Sequence, residues 1–198
     1  MRSRVGSTGD LEDTARRAWR RTAWIAAAGV VVGAIVGVAV GGLGSDADGT
    51  TRVLAVIGSA LTVGGLGGVA SLIAATLALT PAAQDPVRGL DPAGRRTIRR
   101  AVFSARPIEP PDSELAHRAV DWARGTSIAL PIALGQFLLL YAVIAGTQLP
   151  SLLHGNDWYP GFARVFLVVI LVVAVVMTAF MRHRIRNVRR YVATARHE

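Results

Sequence analysis

Cysteine and lysine are both absent from the 198 residues. Without a thiol there is no disulfide framework, no thiolate metal site and no cysteine nucleophile. Without lysine, each of the 22 basic side chains is an arginine. Aromatic residues are scarce at 6% and charged residues make up only 18%, against 52% hydrophobic. The apolar residues fall into four blocks with no acid, arginine or histidine in their middles. That distribution excludes a large soluble core.

Chemistry-bearing motifs are also lacking. His117, His154, His183 and His197 stand alone, none with a second histidine three or four residues on. Asp46 with Asp48, and His154 with Asp157, sit near one another, but they read as ordinary solvated loop residues. The run Gly64-Gly65-Leu66-Gly67-Gly68 has the look of a phosphate loop, yet it lies inside an apolar block where no phosphate can sit. No catalytic residue, no metal site and no cofactor is expected, and the chain reads as a non-enzyme.

A hydrocarbon core about 30 Å thick needs about 20 apolar residues of helix to cross it. Residues 22–43, 53–79, 126–149 and 162–181 each qualify. Strands are excluded by block length and by the want of period-2 alternation, and in lipid only helices or closed barrels satisfy their own backbone. The fold class expected is therefore an all-α membrane protein, with four transmembrane helices as two hairpins and amphipathic cytoplasmic helices. Its segments are 1–21 (N-terminal), 22–79 (glycine-rich hairpin), 80–125 (loop with two short helices), 126–181 (second hairpin) and 182–198 (basic tail).

Twenty of the arginines lie in 1–21, 80–125 and 182–198, and only Arg52 and Arg164 lie elsewhere. The positive-inside bias then predicts both termini and the 80–125 segment in the cytoplasm, in a cytoplasmic (plasma) membrane. The basic balance is a topological effect, so no nucleic-acid partner is expected. A cleaved leader is not expected from the first block, because about 20 largely polar residues precede it.

Gly29, Gly33, Gly37 and Gly41 recur at every fourth position of the first block, a glycine zipper leaving one helix face without side chains. The second block carries Ala60, Gly64 and Gly68, with Gly67, Ser71 and Ala75 beside them. Such spacing lets backbones approach closely. Three contacts remain open for it: the neighbouring helix of the same chain, a second copy or another membrane protein, and a lipid or pore-lining groove. In the third block Pro131 predicts a small kink, and Gln136 is the one amide in the middle of a span, expected to face a neighbouring helix.

Between and beyond the spans, residues 10–21 predict a short helix capped by Asp10, with Glu12–Arg16 and Asp13–Arg17 pairs. Asp91-Pro92 predicts the start of another, carrying Arg95, Arg96, Arg99 and Arg100 beside Ile98, Ala101 and Val102. After a proline-rich break, Asp112 is expected to cap a helix whose Leu115, Ala119 and Trp122 share a face, with Gly125 and Thr126 separating it from the third span. The tail continues the fourth span, with Ile185, Val188 and Val192 in a row and Arg182, Arg186, Arg189 and Arg190 around them. These arginines are candidate membrane-surface groups, each worth about 1 kcal/mol near an anionic inner leaflet.

The segment RRTIRRAVFSARPIEPPDSELAHRAVDWA, with its alanine- and valine-rich spans, resembles uncharacterised small integral membrane proteins of high-GC actinobacteria. The likeness covers the 80–125 segment and the third span and implies no activity. The function expected is a non-enzymatic scaffold or accessory subunit; the alternative is a solute permease or channel subunit acting as an oligomer.

Overall fold

The computed structural model describes residues 8–43, 49–152 and 159–195. Among these residues five α-helices follow one another: α1 (Thr8–Leu43), α2 (Gly49–Gln84), α3 (Pro92–Ser104), α4 (Glu114–Gln148) and α5 (Tyr159–Thr194). Short 3-10 turns occupy Asp85–Val87 and Pro150–Leu152, and no strand occurs among the described residues. α1, α2, α4 and α5 are each long and apolar enough to cross a membrane. The chain is an all-α, multi-pass membrane protein.

Helix length explains where the expected boundaries moved. A helix of 36 residues, such as α1 or α5, is about 54 Å long, well beyond the hydrocarbon thickness of about 30 Å. The amphipathic pieces are therefore extensions of the spans. The helix expected over 10–21 is the first part of α1, which begins at Thr8 and places Asp10 inside its first turn. Gly125 and Thr126 do not separate two helices either, since α4 runs unbroken from Glu114 to Gln148. A Cβ built at Gly125 would lie 3.1 Å from the Cα of Ala83, so the bare glycine lets α2 and α4 approach closely there. Pro131 stands well inside α4, where it removes one backbone bond that the long helix on either side tolerates.

Only α3 stands apart as a short helix. Asp91 caps it, its Oδ1 accepting from the Gly94 amide at 2.9 Å, with Pro92 at the first helical position. Its far end closes at Ala105, held in the left-handed region at φ 54°. There the amides of Ala105 and Arg106 donate to the carbonyls of Val102 and Ala101. α4 is capped by Ser113 rather than Asp112: the Ala116 amide donates to Ser113 Oγ at 3.2 Å.

The chain divides into two units. One comprises the start of α1, residues 74–134 and the end of α5 from Thr178; the other comprises residues 18–73 and 135–177. The first has a closed apolar core of Ile98, Ala101 and Val102 from α3, Ala119 and Ala123 from α4, and Val188 and Tyr191 from α5. Leu115, Trp122 and Val192 pack against it, as the expected faces require. Ile98, Val102 and Val188 are wholly buried, each contributing about 1.5–3 kcal/mol. The second unit is held differently, through glycine. It leaves broad apolar surface on α1 (Val31, Ile35, Val38) and on α5 (Val168, Leu171, Val175), the face a bilayer solvates.

Candidate functional site

Three features were candidates in the sequence: the glycine rows, Gln136 and the arginines. In the second unit α1 lies against α2, main chain to main chain. A Cβ at Gly29 would stand 2.8 Å from Gly64 Cα, and one at Gly37 would stand 2.6 Å from Val56 Cα. At Gly33 it would overlap the Ser59 carbonyl oxygen and come within 2.8 Å of Ala60 Cα. Real Cβ atoms do not make such approaches, so these three positions admit only glycine without movement of one helix. Gly64 receives the other side of the contact, against Val30 and the Ala26 carbonyl. Gly41 belongs to α1, but its surroundings lie outside the described residues, as do Asp46, Asp48, His154, Asp157 and His197.

Gly68 sits between two helices, with the Ala26 Cβ of α1 3.5 Å from where its own Cβ would be. Its nearest neighbour is the Leu139 side chain of α4, 2.8 Å from where a Cβ would be. It belongs to a second glycine contact that the every-fourth-residue pattern does not show. Gly58 of α2 meets the Gly146 carbonyl at 2.6 Å from its added Cβ, Gly146 meets the Gly58 carbonyl at 2.7 Å, and Gly65 meets Val143 and Leu139. The spacing Gly58, Gly65, with Thr62 between them, alternates four and three residues, and so follows a single face of the helix. Gly135 makes room for the Trp19 indole, whose rim would be 2.6 Å from a Cβ there.

Polar groups fasten the same unit. Thr22 Oγ1 and Ser71 Oγ are 2.8 Å apart and share a hydrogen bond between α1 and α2, with Thr22 only 3% exposed. Thr62 donates instead to the Gly58 carbonyl of its own helix. Gln136 is half-buried in α4 and is not without a partner.

The arginines divide by use. Arg17 donates through Nε to the Asp13 main-chain carbonyl at 3.3 Å rather than to its carboxylate; the Glu12 side chain lies outside the described residues. Arg95 donates to the Leu90 carbonyl at 2.9 Å. Arg118 pairs with Glu114, and Arg124 with Asp121, along the α4 surface. Arg96, Arg99, Arg100, Arg182, Arg186, Arg189 and Arg190 are exposed.

Arg184 behaves unlike the rest. Its guanidinium carbon lies 4.7 Å from the Phe103 ring centre and 4.4 Å from that of Phe180, so the cation is held between two aromatic faces. Phe103 also meets Trp122 edge to face at 5.7 Å. One turn on, Asn187 Nδ2 donates to the Phe103 carbonyl at 2.8 Å and lies 3.2 Å from His183 Nε2. The last turn of α3 is thus clamped to α5 by a cation–π stack and a side-chain cap. Arg184→Ala is expected to remove about 1 kcal/mol, speeding amide exchange over residues 98–104 roughly fivefold. Hydrogen–deuterium exchange in detergent checks this. Exchange unchanged there would mean that the stack contributes nothing to docking. No protein-family model, curated protein or solved structure matches this chain.

Proposed function

We propose that the protein is a non-enzymatic scaffold or accessory subunit of the cytoplasmic membrane, with both termini and residues 80–125 in the cytoplasm. The observation that carries this reading is the way α3 is built in. The segment between the second and third spans is a capped helix, closed over an apolar core with α4 and α5 and clamped through Arg184 and Asn187. Its outward side is arginine-rich. A rigid charged face carried by span-length helices suits contact with other molecules at a membrane surface. The permease reading draws less support, because Gly29, Gly33 and Gly37 are covered by α2 and line no passage.

Orientation is tested with single cysteines, which the chain's own composition makes unambiguous. A cysteine at position 47 is expected to react with an impermeant maleimide on intact cells, and one at position 100 only after permeabilisation. The opposite result would sink the orientation. Crosslinking in native membranes followed by purification tests the role itself. A discrete self-assembly or a defined membrane partner is expected, whereas a monomer with no reproducible partner would remove the scaffold reading.

A further inference from the structure

The residues after α3 do more than end it. The left-handed turn at Ala105 and the Arg106 amide, donating to the Ala101 carbonyl at 3.0 Å, fold the chain back beside the helix. Arg106 then lines the same open groove as Arg96 and Arg100, one turn apart on α3, over a floor that includes Ala101 and Ile108. The groove holds about 520 Å³, within the size range of small-ligand sites. Its lining contains three guanidiniums and no acid; Glu109 belongs to the neighbouring hollow. None of the three has an ion-pair or hydrogen-bond partner for its guanidinium among the described residues. The groove's hydroxyls are already spent: Thr97 and Ser104 donate to carbonyls of their own helix.

We infer that this groove binds a phosphate-bearing anion, gripped by Arg96, Arg100 and Arg106. Guanidinium forks match phosphate oxygens two at a time, and three uncompensated cations beside an apolar wall gain most from a ligand carrying more than one negative charge. The Ala101 and Val102 carbonyls at the helix end are taken up by the cap, so they do not face the ligand as free acceptors. The phosphate comes from either a phospholipid headgroup or a free phosphate compound. The first source rests on the proposed placement of this segment at the anionic leaflet; the second does not.

The full chain, purified in detergent, is titrated with short-chain phosphatidic acid, with phosphatidylcholine as the zwitterionic control, and separately with inorganic pyrophosphate. Native mass spectrometry counts the bound species. The parent is expected to retain phosphatidic acid, pyrophosphate or both, and R96Q/R100Q/R106Q to bind at least about tenfold more weakly. R16Q/R20Q/R21Q removes the same charge from α1 and is expected to bind as the parent does. Retention of the lipid alone assigns a headgroup site, and retention of pyrophosphate assigns a free-phosphate site. Equal loss in both triple variants would reduce the effect to diffuse charge and overturn the inference, as would a parent that retains neither probe. Should R96Q/R100Q/R106Q not fold, R106K, which keeps the charge and removes the fork, is expected to weaken binding by about fivefold; unchanged binding would overturn the inference. None of these outcomes depends on partner crosslinking, so the scaffold reading stands or falls separately.

Discussion

Gly33→Leu is expected to lower the thermal midpoint of the detergent-solubilised protein by roughly 6–12 °C. The first added carbon already overlaps the Ser59 carbonyl oxygen and stands 2.8 Å from Ala60 Cα. Those are backbone atoms of α2, which cannot turn aside as a flexible side chain would. Three further carbons are accommodated only by moving α1 off α2, which also breaks the contacts at Gly29 and Gly37 and stretches the Thr22–Ser71 bond. Overpacking of this kind costs about 3 kcal/mol or more, and each kcal/mol moves the midpoint by about 2–4 °C in a chain of this size. Gly161→Ala is the control, since nothing lies within 4 Å of a Cβ there; it should stay within about 2 °C of the parent. Scanning fluorimetry on the tryptophans reads both. An unshifted midpoint for Gly33→Leu would mean that α1 does not seat on α2 in this way.

Ile98→Ala is expected to release α3. Ile98 is wholly buried at the centre of the core formed with Ala119, Ala123, Val188 and Tyr191. Truncating a buried isoleucine costs about 2–5 kcal/mol, part transfer and part cavity. The loss falls on a 13-residue helix, too short to persist without its tertiary contacts. Opening should therefore be local. The helix carries its own reporters in Arg95, Arg96, Arg99 and Arg100. Trypsin cleavage within α3 should rise by about thirtyfold or more, the population change that 2 kcal/mol implies. Cleavage at the parental rate would show that α3 is held by something other than this core.

The spans were legible because lipid imposes a blunt requirement: enough consecutive apolar residues, whatever their order. Helix ends were less legible. Gly125 reads as a break on propensity alone, a handicap of about 1 kcal/mol, but α4 runs through it where Ala83 packs closely. Asp112 and Ser113 are both competent caps, and a shift of one residue in register chose the serine. Of the glycines, Gly29, Gly33 and Gly37 on α1 face α2 with Gly64 opposite Gly29, whereas Gly68 lies between Leu139 of α4 and Ala26 of α1. Gly58 and Gly65 do not stand out in sequence as packing positions because their row alternates intervals, and Gly146 because it has no row of its own. Arg184 could not be told from its neighbours in sequence. What distinguishes it is the pair of rings at Phe103 and Phe180, and only the fold brings Phe103 to it.

The seam along Gly29, Gly33 and Gly37 is made by atoms that have no rotamers to lose. Burying a leucine or methionine freezes side-chain torsions, at about 0.5–2 kcal/mol each, and a contact made that way can readjust by exchanging one torsional state for another. A backbone pressed against a backbone has no such freedom. It gives up little side-chain entropy on forming, and it has almost no alternative packings once formed. Where those three glycines meet α2, the fit of the first hairpin is therefore fixed by the shape of the main chain and not by the choice of side-chain torsions.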